Sequence, residues 1–307
     1  MKNKIIIAGG SGFLGGCIAE HFSRKDFQVV ILSRKEKPAQ NKISFRTWDT
    51  ETLGDWQSEL EGALCVINLT GKSVNCRYNE NNKKEILDSR VNSTSIIGKA
   101  IQNRTSPPEI WMNAASATIY RHAEDREQDE SSGEIGRGFS VEVCKAWENA
   151  FHSFETPHTR KIALRISMVL SARSGVMIPM MNLVRAGMGG AMAGGKQFIS
   201  WIHQDDFVRM IDWIMQHEEM SGPINISSPG PVTNSQFMAV LRKEMKVPFG
   251  IPQAKWMLQL GAFLLGTETE LILKSRRVVS LRMKQSGFQF TYPGITSAVQ
   301  EIIRHKK

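Results

Sequence analysis

Short apolar runs alternate with amphipathic runs of helical period along the first half of the chain, and this alternation constrains the fold most. Two stretches, 13–22 and 88–101, place apolar residues at helical spacing. Six others have the length and composition of buried strands: 4–8, 28–32, 43–48, 63–69, 110–115 and 161–166. Strands that alternate with helices build right-handed βαβ units, which assemble into a parallel sheet with helices on both faces. The sequence therefore predicts a doubly wound α/β fold.

The pattern loosens beyond about residue 170, where the sequence predicts a small mixed α/β region. Residues 187–195 are glycine-rich, and they form either a flexible lid over a substrate or a simple connection. A strand in QFISWIH follows, and then a helix whose N-cap is Asp205 or Asp206. We expect His203, at the end of this strand, to be a core histidine that caps the turn.

The C-terminal part of the chain predicts a helical appendage. From residue 248 we expect two or three helices, a short strand at 288–292 and a terminal helix. The predicted division is a main α/β domain over 1–170, completed by elements up to about residue 245, and a small domain over 248–307.

Composition and charge indicate a folded protein with a basic surface. Hydrophobic residues make up 41% of the chain and charged residues 22%, so disorder is not expected. The formal net charge is +9, and a denser basic patch contains Lys274, Arg276, Arg277, Arg282 and Lys284. No base-reading motif or aromatic stacking set accompanies this patch. It therefore indicates a solvated face, or a surface that attracts anionic small molecules, rather than a nucleic-acid site.

The cysteines and the apolar stretches indicate a reduced, cytoplasmic protein. The four cysteines show neither CxxC spacing nor the spacing of metal ligands, so no metal site is expected. Cys17 and Cys65 lie in apolar runs, as reduced core residues do. The longest later apolar stretch, 256–266, is shorter than the about 20 residues that cross a bilayer, so no membrane contact is expected. The sequence leaves a homodimer open.

The stretch AGGSGFLG carries Gly9, Gly12 and Gly15 between a predicted strand and a predicted helix. This context makes the pattern informative, because one glycine permits a tight turn and another lets the backbone approach a pyrophosphate. Gly15 lets the helix pack closely on the sheet, and the N–H groups at the helix N-terminus favour negative charge. The domain over 1–170 is therefore predicted to be a Rossmann-type dinucleotide-binding domain. The cofactor contacts predicted in this stretch are Gly9, Ser11, Gly12, Phe13, Leu14 and Gly15.

The end of the second strand indicates which dinucleotide is bound. NAD binders carry an acidic residue about 20 residues after the glycines, where it binds the ribose 2′-hydroxyl. Here Ser33, Arg34 and Lys35 occupy this region, and no acid precedes Glu36. Because arginine binds a phosphate bidentately and a carboxylate would repel it, we predict NADP(H), with Arg34 as the main contact. Further cofactor contacts are expected at the ends of the fourth and fifth strands, from Leu69, Thr70, Gly71 and Ala115.

Several motifs resemble one superfamily. AGGSGFLG resembles the TGxxGxxG fingerprint of extended short-chain dehydrogenases/reductases, with Ala8 in place of threonine. ASATIY, at 115–120, is similar to the segment of nucleotide-sugar epimerases that carries a catalytic serine or threonine, and Ser116 falls on that position. SWIHQDD is also similar to a segment of this superfamily.

Other stretches point to a subgroup. EVCKAWE, SGPINISSPGPVTNSQF and RVVSLRMKQSGFQFTYP resemble the atypical epimerase-like proteins that carry an extra C-terminal domain. The resemblance covers nearly the whole chain. It implies a Rossmann-type domain that binds NADPH beside a small substrate-side region, and it names a fold rather than an activity.

The resemblance also shows a departure, because the superfamily transfers protons with a Tyr-x-x-x-Lys pair. Aligned on EVCKAWE, the tyrosine is replaced by Phe139 or Ser140, and the lysine by Val143 or Cys144. Lys145 lies one residue away, and that is a rotation of about 100° on a helix. The usual acid–base pair is therefore absent.

Five other residues are candidates for a role. Ser116 is predicted either to hydrogen-bond a substrate carbonyl or to be a satisfied hydroxyl at a strand end, and Tyr120 is a further catalytic candidate. Arg90 is expected to reach a substrate anion or to pair on the surface. Glu142 is expected to face the site or to serve as a cap or packed helix residue. Arg165, a charge in an apolar run, predicts a structural ion pair.

Two functional hypotheses follow. In the first, an NADP(H)-dependent oxidoreductase or epimerase-like enzyme acts on a small carbonyl or nucleotide-sugar-like substrate, with water or a non-standard residue as the acid. In the second, the chain is a non-catalytic NADP(H)-binding regulatory or scaffold protein. In that case the bound cofactor adds about 3–4 kcal/mol of stability at high ligand excess. Oxidation of NADPH by a carbonyl compound separates the two.

Overall fold

The computed structural model describes residues 3–264, 266 and 268–305, so residues 265, 267, 306 and 307 of the predicted C-terminal domain lie outside the described residues. Within these ranges, seven strands form one sheet in which every pairing is parallel. They are β1 (Lys4–Ala8), β2 (Gln28–Ser33), β3 (Ile43–Thr47), β4 (Cys65–Asn68), β5 (Ile110–Ser116), β6 (Arg160–Ile166) and β10 (Gly222–Ile226). Their order is β3-β2-β1-β4-β5-β6-β10. The chain thus winds from the centre to one edge and then to the other, which confirms the Rossmann-type doubly wound fold.

Helices cover the sheet and form most of the C-terminal region. In the described ranges they are α1 (Phe13–Arg24), α2 (Glu80–Gln102), α3 (Phe139–His152), α4 (Met177–Arg185), α5 (Gln204–Gln216), α6 (Asn234–Glu244), α7 (Lys255–Leu264), α8 (Glu270–Leu273), α9 (Leu281–Gln285) and α10 (Ile295–Arg304). Short 3-10 helices span Asp55–Leu60 and Ala117–Ile119. No described helix is both long and apolar enough to cross a membrane.

The two faces of the sheet bury different helices, because alternate residues of a strand point to opposite sides. On one face, Ile5 and Ile7 pack with residues of α1 and α5. On the other face, Ile6 and Val30 pack with residues of α2 and α3. The sheet is therefore the middle of three layers. The carboxyl ends of β1, β2, β4 and β5 lie side by side at one edge.

A third apolar core lies in the second half of the chain. It joins α4, α6 and α10 through Met181, Phe237 and Val299. Four short strands form two small sheets beside it, β7 (Met168–Leu170) with β9 (Trp201–His203), and β8 (Phe198–Ile199) with β11 (Val232–Thr233). The terminal helix α10 is therefore packed against elements that precede residue 245, and the division into two domains stays a prediction.

The glycine-rich segment 187–195 is bound to the C-terminal part of the chain. The N–H of Ala193 donates to the carbonyl of Gln253 at 2.8 Å, and the N–H of Gln253 donates to the carbonyl of Ala191 at 2.9 Å. This pairing favours the simple connection over the flexible lid.

Most predicted elements are found, and the differences have local causes. Each of the six predicted strands occurs within two residues of its expected bounds. The sequence analysis missed β10, which begins with the turn-forming pair Gly222 and Pro223. The helix predicted at 88–101 begins instead at Glu80, where the side chain of Asn79 accepts from the N–H of Asn82 at 2.8 Å. Its first two turns are too polar to show helical periodicity.

Two predictions near α5 are wrong. The N-cap of α5 is neither Asp205 nor Asp206 but the buried His203, whose Nδ1 accepts from the N–H of Asp205 at 3.2 Å. The segment 288–292 forms no strand among the described residues. The N–H groups of Thr291 and Tyr292 donate instead to the carboxylate of Asp206, at 2.9 and 2.8 Å. Asp206 therefore anchors the C-terminal segment rather than capping a helix.

Candidate functional site

The glycine-rich turn after β1 exposes its backbone at the carboxyl edge of the sheet. Gly9 has a φ of +74°, a left-handed conformation that favours glycine. A Cβ on Gly15 would lie 2.4 Å from the Cα of Gly10, so α1 packs closer to the turn than a side chain permits. Gly12 is the N-cap of α1 and has no side chain that could accept a hydrogen bond from the first turn. The first N–H groups of α1 are therefore available to an anion.

The other contacts predicted in this turn lie at the surface or just below it. Ser11 is exposed, whereas Phe13 and Leu14 are partly buried in the first turn of α1. The N–H groups of these two residues belong to the first turn, which has no intrahelical acceptors. They point toward the space in front of the turn.

β2 ends beside this turn with the residues predicted to select the dinucleotide. Ser33 is buried, and its Oγ accepts a hydrogen bond from the N–H of Lys35 at 3.2 Å. Arg34 and Lys35 are exposed, and neither side chain forms an ion pair with an acidic residue that the structure describes. Two cations without an internal counter-ion therefore stand beside the turn.

The loop after β4 closes the other side of the turn. The N–H of Leu69 donates to the carbonyl of Ala8 at 2.9 Å, and a Cβ on Gly9 would lie 3.0 Å from the nitrogen of Thr70. The Oγ1 of Thr70 is buried and has no hydrogen-bond partner among the described residues. Gly71, the next residue, is exposed. A buried hydroxyl without a partner is uncommon in a folded protein, so Thr70 is a candidate contact for a ligand or an ordered water.

These parts together form one polar surface, which we call the cofactor cradle. It consists of the 9–15 turn, residues 33–35 and Thr70. Backbone N–H groups, a lone hydroxyl and two unpaired cations suit the pyrophosphate, ribose and added phosphate of a dinucleotide. The residues present thus fit such a group.

A buried polar network that the sequence analysis did not anticipate fixes the loop after β4. The side chain of Asn68 accepts from the N–H of Thr70 at 3.0 Å and donates to Asn113 at 2.8 Å. Asn68 also donates to Thr94 at 3.2 Å, and the indole of Trp147 donates to the same hydroxyl at 3.0 Å. This network links β4, β5, α2 and α3. Its only signal in the sequence is one asparagine in each of two apolar strands.

Ser116 lies at the carboxyl end of β5, directly after the buried Ala115. Its Oγ accepts a hydrogen bond from the N–H of Thr118 at 3.2 Å. The hydroxyl proton of Ser116 therefore remains available to an oxygen of a substrate. Because β1, β4 and β5 are neighbours in the sheet, Ser116 faces the same edge as Gly9 and Thr70.

Tyr120 is buried, and its hydroxyl belongs to a structural network. The hydroxyl donates to Asn225 at 3.0 Å and accepts from Nη1 of Arg165 at 2.9 Å. Arg165 in turn forms a bidentate pair with Glu148, with both distances 2.8 Å, which confirms the predicted structural ion pair. Burial raises the pKa of Tyr120, so its phenol is neutral at pH 7. A catalytic role for Tyr120 stays a prediction, and these partners favour a structural one.

On α3, the tyrosine of the superfamily is replaced by Phe139 or Ser140 and the lysine by Val143 or Cys144. Ser140 and Cys144 are four residues apart, and Cys144 packs against Ala117 and Tyr120. The Oγ of Ser140 is buried without a hydrogen-bond partner in the described chain, although the phenol of Tyr78 lies nearby. Burial raises the pKa of Cys144 to about 12, so the thiol stays neutral. Neither group exchanges protons readily near pH 7.

Arg90 and Glu142 lie in different environments. Nη1 of Arg90 donates to the carbonyl of Lys72 at 3.0 Å, and its guanidinium lies over the ring of Trp147 at 5.1 Å. No acidic residue of the described ranges pairs with Arg90. Glu142 is exposed and pairs with Lys145 at 3.1 Å on the solvent side of α3. The geometry therefore favours Arg90, rather than Glu142, as a contact to substrate.

Part of the predicted basic patch lies in a cleft of about 440 Å³ beside the N-terminus of α3. Lys274 and Arg276 line this cleft together with Tyr120 and Val141. Arg277, the next residue, instead stacks on the ring of Phe198 at 4.6 Å. The basic patch predicted from the sequence is therefore divided, with Lys274 and Arg276 in the cleft and Arg277 outside its lining.

Family models and curated relatives place the chain in the same family. The model of the NAD dependent epimerase/dehydratase family matches residues 5–227, and a domain of unknown function (DUF1731) matches residues 254–302. The epimerase family protein YfhF of Bacillus subtilis (strain 168) is 30% identical over 305 residues, and the match covers 99% of each chain.

Two solved structures share the fold at 25% sequence identity. The crystal structure of human epimerase family protein SDR39U1 (isoform2) with NADPH has a TM-score of 0.84, over 98% of this chain and 99% of that one. The structure of the nucleoside-diphosphate sugar epimerase from Corynebacterium glutamicum has a TM-score of 0.79 and covers 100% of this chain and 59% of the other. The predicted resemblance to atypical extended short-chain dehydrogenases/reductases is thereby confirmed. With its motifs, sheet order and C-terminal match in agreement, the chain belongs to the NAD dependent epimerase/dehydratase family.

Proposed function

We propose that this protein is an NADP(H)-dependent oxidoreductase that acts on a small carbonyl or nucleotide-sugar-like substrate. The observation that carries the proposal is the meeting of the cofactor cradle with Ser116 at one edge of the sheet. The presence of NADPH in the human SDR39U1 structure supports the choice of cofactor.

Each residue of the site has a role in this proposal. The N–H groups of α1 hold the pyrophosphate, and Arg34 binds the 2′-phosphate with Lys35 beside it. The bound nicotinamide supplies the hydride chemistry. Ser116 donates its hydroxyl proton in a hydrogen bond to the substrate carbonyl and so orients it. Since Ser140 and Cys144 provide no usual acid, the proton comes from water or from another residue.

The Arg34→Ala variant is expected to bind NADPH about 10- to 100-fold more weakly, because a charge-assisted bond to phosphate contributes about 1.5–3 kcal/mol. NADH lacks this phosphate, so its affinity is expected to change little. Isothermal titration calorimetry with both dinucleotides measures the difference. Arg24→Ala removes an exposed arginine at the far end of α1 and serves as the control. An equal loss of affinity for NADPH and NADH would contradict the 2′-phosphate assignment.

The absence of the tyrosine–lysine pair specifically favours a second function, that of a non-catalytic NADP(H)-binding protein. A screen of aldehydes and ketones, followed by the loss of NADPH absorbance, separates the two functions. With any substrate found, we expect Ser116→Ala to lower kcat by about 100-fold while NADPH affinity is retained. Thr118→Ala keeps the backbone N–H that binds Ser116 and is the matched control. If no carbonyl compound oxidises NADPH, the binding function is the better account.

A further inference from the structure

Four of the ten residues that line the cleft beside α3 are permanent cations, and two of the four come from the C-terminal domain of unknown function. Tyr120, Ile135 and Val141 provide its apolar wall. Its permanently charged lining residues are Arg121, Arg137, Lys274 and Arg276, with Glu134 as the acidic one. Permanent cations therefore outnumber acidic residues in the lining by four to one, and such a surface attracts anions.

Two of these cations lack a counter-ion within the described chain. Arg121 pairs with Glu134, and Lys274 pairs with Glu270. Arg137 and Arg276 form no ion pair with a described residue. Arg137 is exposed at the rim, whereas the Nε of Arg276 is buried and has no hydrogen-bond partner. Arg276, which lines the cleft, thus keeps a donor that no described residue uses.

The remaining contact of Arg276 is weak. Its Nη1 donates to the carbonyl of Ser275 at 3.4 Å. Burial lowers the pKa of Arg276, whereas the charges of Glu270 and Cys144 raise it. A guanidinium that has lost water and gained one long hydrogen bond is stabilised when an anion binds it.

A third arginine without an ion pair to a described residue, Arg90, lies beside the loop that follows β4. Arg90 lies against Gly71, whose added Cβ would be 3.0 Å from the guanidinium carbon. The thiol of Cys144 is within the electrostatic influence of both Arg90 and Arg276, so the two guanidinium groups lie in the same part of the protein.

We infer that the cleft binds an oxyanionic group of the substrate, a phosphoryl or a carboxylate group, with Arg276 and Arg137 as its ligands. Arginine suits this role because its fork of N–H groups pairs bidentately with either oxyanion. The inference rests on the proposed function, since it makes this anion a part of the substrate. It also gives the C-terminal domain a role, because that domain supplies Arg276 to the site.

The test uses inorganic phosphate and malonate as probes of the full-length chain without cofactor. Calorimetry is expected to show binding of at least one anion, weakened about tenfold or more by Arg276→Gln or by Arg137→Gln. Arg304→Gln, an exposed change in the same domain, is the matched control and should bind as the wild type does. The anion with the higher affinity, phosphate or malonate, identifies whether the cleft prefers a phosphoryl or a carboxylate group.

A second readout guards against simple unfolding of the Arg276→Gln variant. Without anion, its melting temperature is expected to equal or exceed that of the wild type, because an uncompensated buried charge is gone. The anion should raise the melting temperature of the wild type and not that of the variant. If Arg276→Gln does not fold, the exposed Arg137→Gln decides the question by its affinity alone.

Arg34→Ala keeps this test independent of the cofactor proposal. Phosphate binding that is lost in Arg34→Ala and kept in Arg276→Gln would place the anion in the cofactor cradle and overturn the inference. Failure of both anions to bind the wild type would overturn it as well. Neither result bears on whether NADPH binds, which the calorimetry of Arg34→Ala with dinucleotides measures separately.

Discussion

Replacing Gly15 with alanine is expected to abolish measurable NADPH binding and to lower the free energy of unfolding by about 1–3 kcal/mol. The new Cβ would lie 2.4 Å from the Cα of Gly10 and 2.9 Å from its carbonyl carbon. Both are backbone atoms, so no side-chain rotation relieves the clash. α1 must therefore move away from the turn, and its N–H groups move with it. A shift of about 1 Å takes such groups out of hydrogen-bond range of a phosphate.

Gly16→Ala is the matched control for this prediction. Gly16 is the next residue of α1, it is exposed, and an added Cβ there would meet no atom within 4 Å. Alanine at this position should bind NADPH as the wild type does and raise the free energy of unfolding by about 0.5–1 kcal/mol. Calorimetry with NADPH and urea unfolding of both variants provide the measurements. Wild-type NADPH affinity in Gly15→Ala would show that close packing of α1 on the turn is not required.

The parts of the fold that the sequence predicts well depend on neighbours in the chain. The buried strands appear as apolar runs such as KIIIA and QVVIL, because a parallel strand is covered on both faces. The glycine turn is equally local, since the strand before it and the helix after it lie within a few residues. β2 pairs with β1, so Ser33, Arg34 and Lys35 lie beside the turn, and their role as cofactor contacts stays a prediction.

The parts that the sequence does not predict depend on residues far apart in the chain. Asp206 binds the backbone of Thr291 and Tyr292, so an alternating apolar segment that resembles a strand is held as an irregular one. Arg276 belongs to a charge run that resembles a solvated face until the fold sets it beside Tyr120 and Val141. Spacing and composition carry no information about such pairings.

The candidate site shows the same division. Ser116 is a candidate because ASATIY resembles a segment of the superfamily, and its hydroxyl proton remains available in the structure. Tyr120 is equally close in sequence, yet its hydroxyl is used by Arg165 and Asn225 from β6 and β10. Glu142 and Cys144 are two residues apart on α3, and a helical rotation places one in solvent and the other in the core. Whether each side chain is available to a ligand depends on the elements that pack around it, and the motif alone does not show this.

Replacing Glu148 with alanine is expected to lower the free energy of unfolding by about 3–5 kcal/mol. The side chains of Arg165 and Glu148 are 10% and 11% exposed, and two hydrogen bonds of 2.8 Å join them. Without the carboxylate, the buried guanidinium of Arg165 still donates a hydrogen bond to the hydroxyl of Tyr120, but this neutral group does not compensate its charge. The loss arises mainly from this unpaired cation, and only partly from the missing bonds.

Two further variants separate that cause from a simple loss of packing in α3. Glu142→Ala removes an exposed carboxylate from the same helix and should lower the free energy of unfolding by less than about 1 kcal/mol. The double variant Glu148→Leu with Arg165→Met removes both charges and should recover most of the lost stability, because an apolar pair of similar volume needs no compensation. Urea unfolding measures all of them. Two results would contradict this prediction: Glu148→Ala loses no more stability than Glu142→Ala, or the double variant is as unstable as Glu148→Ala. In either case the charges of the buried pair do not hold β6 against α3, and packing stabilises the network around Tyr120.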